Sequence, residues 1–139
     1  MGVHIGLNSL NNFQGGGESF DLNDGIRFFS AVEYSLHWLE ANSEAINRLN
    51  VYPVPDGDTG TNMVLTLRAA VREAGESGSS DVKGVAVALG RGALLGARGN
   101  SGVILSQILR GFSERLSDSC EFGVLEFASA LEGAAEVAY

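Results

Sequence analysis

The sequence predicts an all-α protein, and three observations predict it. Apolar residues recur at intervals of three and four in every segment long enough to form an element. No run alternates apolar and polar residues over a useful length between turn signals, so no strand is expected. The breaks between periodic segments are short and carry capping residues, which suits antiparallel helices with short connections.

Residues 1–20 read as a flexible tail, with Asn11, Asn12 and glycines at 15–17, and His4 in it has no assigned role. Residues 21–139 read as one domain. The first helix is expected over 21–41, capped by Asp21, Asn23 or Asp24. Its stripe is Ile26, Phe29, Val32, Leu36 and Leu39, and Phe28, Tyr34 and Trp38 widen it as core aromatics. His37 is read as structural or solvated. Asn42 and Ser43 look like a break before a short helix over 44–49.

Residues 50–62, Asn-Val-Tyr-Pro-Val-Pro-Asp-Gly-Asp-Thr-Gly-Thr-Asn, organise the chain. Pro53 and Pro55 hold the backbone extended. The arm delivers Asp56 and Asp58 to the mouth of a helix that starts after Gly60 and runs to about Ala74, through Met63, Leu67, Ala70 and Val71. The first amides of that helix lack intrahelical partners and favour an anion such as phosphate. Two carboxylates repel a phosphate unless a hard cation lies between them. Magnesium takes oxygen ligands, often only one or two carboxylates, with phosphate and water completing its shell. The local reading is a magnesium–phosphate site. The competing one is a loop in which Asp58 or Thr59 merely caps a helix. Arg68 and Arg72 read as a solvated face.

Residues 75–80 form a polar connection, and Ser80 or Asp81 caps a helix from Val82 to about Leu95. Gly84, Gly90 and Gly92 lie inside it at about 1 kcal/mol each relative to alanine, which points to close helix approach or a ligand near the backbone. Gly-Ala-Arg-Gly-Asn-Ser-Gly at 96–102 is a Gly-rich loop feeding a helix over 103–116, capped by Asn100 or Ser101. The core stripe there is Ile104, Leu105, Ile108, Leu109 and Phe112. This is a second anion-competent helix mouth, with Arg98 as its positive charge. No Gly-Lys-Ser/Thr occurs, so it is not a Walker loop, and no strand precedes it, so it is not a dinucleotide fingerprint. Residues 117–123 form a turn before a last helix over 124–139, with Leu125, Ala128, Leu131, Ala135 and Ala138, and the chain stops inside that pattern. The two helix mouths are expected to meet at one end of the bundle.

Composition bounds the rest. The 139 residues are 45% hydrophobic, enough for a core. A net charge of −8 argues against a nucleic-acid partner. With Lys83 the only lysine, phosphate chemistry must lean on metal, backbone amides and arginine. The single cysteine, Cys120, has no internal partner, so a reducing cytoplasm is expected, and it reads as a spare thiol. No run reaches membrane-spanning length.

Residues 50–63 and 92–112 resemble the kinase domain shared by dihydroxyacetone kinases, as their nucleotide-binding L domain, and the A subunit of bacterial fatty acid kinases. The arm through Met63 and the run Gly-Ala-Arg-Gly-Asn-Ser-Gly-Val-Ile-Leu-Ser-Gln look like the fatty acid kinase version. The resemblance covers roughly 21–139. It implies an antiparallel helical barrel or bundle whose mouth holds ATP through two magnesium ions. It also implies a domain truncated here at the C-terminus, since the family domain continues with helices that close the barrel and complete the adenine pocket. An unclosed bundle would expose apolar surface on its first and last helices. By the resemblance, Asp56 and Asp58 are metal ligands. The dihydroxyacetone kinases have a third acid upstream, where this chain reads Asn50-Val51-Tyr52, and Asn50 is the candidate to substitute. Thr59, Gly60, Thr61 and Asn62 would meet phosphate or metal-bound water, and Arg98, Gly99, Asn100, Ser101 and Gly102 would cradle phosphates.

The reaction implied is transfer of the ATP γ-phosphoryl group to a fatty acid carboxylate held by a separate fatty-acid-binding protein, giving acyl phosphate. No general base is assigned within the chain, and a homodimer is left open. The alternatives are a dihydroxyacetone kinase module and a catalytically incomplete nucleotide-binding or scaffolding fragment.

Overall fold

The structure is a computed structural model that describes residues 25–51, 54–117 and 122–139. The expected tail, the caps Asp21, Asn23 and Asp24, Pro53 and Cys120 lie outside the described residues. Among the described residues there are five helices and no strand: α1 (Gly25–Arg48), α2 (Thr59–Ser77), α3 (Val82–Gly96), α4 (Gly99–Ser117) and α5 (Val124–Ala138). The all-α class read from the sequence is the one observed.

Close contacts fix the directions. Ser43 meets Gly60, and Phe29 meets Gly75, so α1 and α2 run antiparallel. Gly92 and Gly96 lie against Ala69, while Gly84 lies beside Ser79, so α3 runs back along α2. Gly90 packs on Leu109 and Ser113 of α4, and Gly111 of α4 on Gly133 of α5. The N-termini of α2 and α4 therefore share one end of the bundle with the C-termini of α1 and α3.

The core has two parts. Leu36, Leu39, Val64, Leu67, Ala70, Val85, Leu89 and Ala93 fill the space between α1, α2 and α3, with Leu105 and Leu109 of α4 packed on them. Val82, Ala86, Phe112, Leu116, Phe122, Ala130 and Ala134 form the second part, with Phe28 stacked on Phe112 at 6.0 Å. The helical glycines serve close approach. A Cβ on Gly92 would stand 2.7 Å from the Ala69 carbonyl oxygen and 2.9 Å from Ala70 Cα, so an alanine there would push α2 and α3 apart.

Several local expectations are corrected. The break at Asn42 and Ser43 is absent, because α1 runs straight through them. Their side chains bond back to carbonyls of their own helix, Asn42 Nδ2 to Trp38 at 2.7 Å and Ser43 Oγ to Glu40 at 2.9 Å, instead of capping a new one. Tyr34 and Trp38 are 76% and 68% exposed, so they are not core. Two residues is 200° around a helix, which sets Trp38 opposite Leu36. α2 continues past residue 74 to Ser77 and ends on Gly78, whose φ of 67° is left-handed. Asp81 caps α3 as expected, accepting the Gly84 N–H at 2.9 Å. Ile104 and Ile108 of α4 and Leu125 and Leu131 of α5 are exposed rather than buried. In α5 the buried line is Ala130, Gly133 and Ala134. Exposed large apolar side chains occur on all five helices, among them Ile26, Tyr34 and Trp38 on α1, Leu65 on α2, Val87 and Leu95 on α3, and Leu125 and Leu131 on α5, so they do not single out the first and last helices.

Arg68 pairs with Glu40 across α1 and α2 at 2.6 Å, consistent with a solvated face. The Arg68 hydrogen bond, chiefly, holds the Glu40 carboxyl below its ordinary range. Among the described residues no helix is long and apolar enough to cross a membrane.

Candidate functional site

Two helix starts and one loop enclose a cavity of about 560 Å³ at the shared end of the bundle. The loop side contributes Asn50, Val54, Asp56 and Asp58; α2 contributes Thr59 and Asn62; α4 contributes Gly99, Asn100, Ser101 and Ile104. Its size suits a small-molecule ligand.

The loop is built around Gly57. Its φ of 69° is a left-handed turn natural to glycine, and both flanking carboxylates reach the cavity. Asn50 Nδ2 donates to Asp56 Oδ1 at 2.6 Å, which brings the Asn50 amide to the first carboxylate. Asp58 occupies the N-cap position of α2, and its carbonyl accepts the Asn62 N–H at 2.8 Å. Its side chain makes no capping hydrogen bond. The plain capping role weighed for Asp58 is therefore not what its carboxylate does. Asp56 and Asp58 are both exposed.

The α2 mouth is partly committed. Before the first intrahelical bond stand the amides of Thr59, Gly60 and Thr61. The Thr61 N–H donates to Asn47 Oδ1 at 3.1 Å, and Thr61 Oγ1 accepts from Asn47 Nδ2 at 3.0 Å. Thr61 therefore faces α1 and does not line the cavity. Gly60 is buried against α1, where a Cβ would come within 2.2 Å of the Ser43 carbonyl oxygen. Its part is to admit α1, and it too is absent from the lining.

The second mouth differs from its expected form. The stretch 96–102 is not a long loop: α3 extends to Gly96 and α4 starts at Gly99, leaving Ala97 and Arg98 between them. The Gly102 N–H already bonds to the Arg98 carbonyl at 3.0 Å, so neither Asn100 nor Ser101 is the cap. Gly99 sits at φ 58°, and a Cβ on it would lie 2.3 Å from Asn62 Nδ2, so Asn62 stands between the two mouths. Ser101 Oγ donates to the Thr59 carbonyl at 3.3 Å and links α4 to the start of α2. Gly102 and Arg98 do not line the cavity.

One residue outside the predicted set holds the mouths together. Thr66 is fully buried. Its hydroxyl donates to the Asn62 carbonyl at 2.8 Å and accepts the Arg98 N–H at 3.1 Å. A Cβ on Gly102 would stand 2.3 Å from the same oxygen. Nothing in the sequence marks a threonine in the middle of a helix as the seat of a distant loop. The same holds for Asn47, which reads there only as a position inside a short helix over 44–49.

The electrostatics of the cavity are one-sided. Its lining carries two carboxylates and no Lys, Arg or His. Among the described residues no group of three or more His, Cys, Asp and Glu gathers to hold a metal. The donor set is Asp56 and Asp58 with the Asn50 amide alongside. It fits a hard cation that keeps water and ligand oxygens in its shell, and lacks what a zinc site would need. Two carboxylates with no basic side chain in the lining make the cavity unfavourable for an anion without a cation beside it.

The sequence matches the DAK2 domain family over residues 53–139. It is 47% identical over 116 residues to Protein YloV of Bacillus subtilis, covering 84% of this chain and 21% of that protein. It is 45% identical over 101 residues to an uncharacterized protein of Staphylococcus epidermidis and 43% identical over 101 residues to one of Staphylococcus aureus, covering 73% of this chain and 18% of each. The chain thus spans about a fifth of the length of the curated relatives it matches.

Proposed function

Because this chain belongs to the DAK2 domain family, we propose that its cavity binds magnesium–ATP and serves transfer of the γ-phosphoryl group. That family is a nucleotide-binding module of the dihydroxyacetone kinase family. The observation that carries the proposal is the lining itself: two uncapped carboxylates and two helix starts around one space, with no basic side chain. Asp56 and Asp58 would hold the cation, and the Asn50 amide keeps the Asp56 carboxylate oriented. Magnesium bound there would draw charge from the β- and γ-phosphates. The start of α4 at Gly99–Ser101 and the Thr59 end of α2 would receive the phosphate oxygens through backbone N–H and hydroxyl groups.

The finer reading is the ATP-binding part of a fatty acid kinase. Its support is the likeness of residues 50–63 and 96–107 to that group. An oxygen of the acyl carboxylate attacks the γ-phosphorus, the bond to the β–γ bridging oxygen breaks, and ADP leaves. Because the attacking carboxylate carries no proton, no general base is needed, and positioning and electrostatic stabilisation do the work. The acid would come on a separate fatty-acid-binding protein, and the setting would be the cytoplasm.

Calorimetric titration of ATP with and without magnesium tests the site. Binding should require magnesium in the parent and be lost in the Asp56→Asn, Asp58→Asn double variant. Equal binding by that variant would end the proposal. Acyl phosphate formation with a fatty-acid-binding protein, against dihydroxyacetone as the competing acceptor, tests the finer reading.

A further inference from the structure

We propose that Asn47, which does not line the cavity, is the residue that positions both the acid loop and the α2 mouth for magnesium–nucleotide binding. The proposal rests on the reading of the cavity given above. α1 reaches this point only because it runs unbroken through Asn42 and Ser43, which sets Asn47 in its last turn beside the start of α2. The side-chain amide engages one residue on both sides. Oδ1 accepts the Thr61 N–H at 3.1 Å, and Nδ2 donates to Thr61 Oγ1 at 3.0 Å. Two bonds to one neighbour hold the amide plane and the first turn of α2 in a single relative orientation.

The backbone of the same residue serves the acid loop. The Asn47 carbonyl accepts the Asn50 N–H at 3.2 Å, and that turn directs the Asn50 amide onto Asp56 at 2.6 Å. The same carbonyl oxygen lies 3.9 Å from where a Cβ on Gly57 would stand. The close seat of Gly60 on Ser43 keeps α1 from drifting away. The end of α1 is thus tied to the loop that carries both acids and to the helix start that faces them.

A consequence concerns Thr61. Its amide donates to Asn47 and its hydroxyl oxygen accepts from it, and the residue does not line the cavity, so it acts through that contact and not on phosphate. Without Asn47 the first turn of α2 loses a partner for one of its open amides. A ligand must then restore the order before it binds, and its apparent affinity falls by the fraction of molecules still in order.

The test uses calorimetry of magnesium–ATP with the parent chain, Asn47→Ala, Thr61→Ala and the double variant, with melting of each protein measured without ligand. Both side chains are at or near the surface, so the variants should fold. Each single change should weaken magnesium–ATP binding roughly five- to tenfold, the size of a lost helix cap. The double variant should lose no more than Asn47→Ala alone, because the two side chains form one interaction. Losses that multiply would place Thr61 on the nucleotide and overturn the proposal. Unchanged affinity in Asn47→Ala, even with a lowered melting temperature, would reduce Asn47 to a stabilising cap and overturn it as well. A folded parent that does not bind magnesium–ATP would instead refute the reading of the cavity, and the role of Asn47 with it.

Discussion

Thr66→Val is the sharpest probe of how the two helix mouths are held in place. Valine matches threonine in shape, so the substitution removes the hydroxyl and little else. Thr66 is 0% exposed, so the hydroxyl itself is out of reach of water. Its oxygen has two contacts of unequal weight. The Asn62 carbonyl, 2.8 Å away and one helical turn back, loses only an additional donor. The Arg98 N–H, 3.1 Å away across the α3–α4 connection, loses its acceptor. A donor left without a partner costs about 1–3 kcal/mol when buried, and because Arg98 is exposed and this bond only part-buried, the cost falls at the lower end, about 1 kcal/mol. For a domain of this size that corresponds to a melting temperature lower by roughly 4 °C. Thr66→Ser keeps the hydroxyl and removes a methyl group, at a cost near 1 kcal/mol. Melting alone separates the two variants poorly, so the decisive assay is amide hydrogen exchange at Arg98. Exchange should quicken in Thr66→Val and stay close to the parent in Thr66→Ser. If the valine variant exchanged at Arg98 as slowly as the parent and melted with it, the hydroxyl would not seat the α4 mouth, and the account of the cavity wall would be wrong.

Other outcomes follow from the same structure. Trp38→Ala should change stability by less than about 0.5 kcal/mol, since the ring is exposed. Leu36→Ala, two residues away and buried, should cost about 2–5 kcal/mol, and chemical denaturation of both variants checks the phase of α1. Arg68→Gln should raise the Glu40 carboxyl back toward its ordinary 4.5, read by NMR titration. The lowered value means that the pair stabilises the fold fully above about 4.5 and stops doing so as pH falls through the lowered value. The effect should be small and should weaken with salt, because both side chains meet solvent.

Much of the site was legible because its chemistry is written in adjacent residues. Asp56, Gly57 and Asp58 form one local turn, and no distant contact is needed to see two carboxylates at a helix start. The Gly99–Ser101 stretch was legible for the same reason, although it opens α4 instead of preceding it. Intrinsic propensity penalises Gly99 and Gly102 in a helix, so residue preference argued for a loop. Contact with Asn62 and Thr66 overrides it, because a side chain at either position would collide.

Periodicity by itself determined that the chain is helical, where its helices roughly lie, and that two anion-competent starts flank a pair of acids. Those are properties of neighbours within a few residues, which the sequence displays directly. Tertiary structure decided which aromatic faces solvent and whether Asn42 and Ser43 end a helix or bond back along it. It also decided which open amides remain for a ligand. Tyr34 and Trp38 are aromatic like Phe28, and the placement of α2 on the opposite side of α1 leaves them exposed. Asn47 and Thr66 carry no local mark of their roles. Their hydrogen bonds reach 14 and 32 residues along the chain, to partners brought near only by packing the helices.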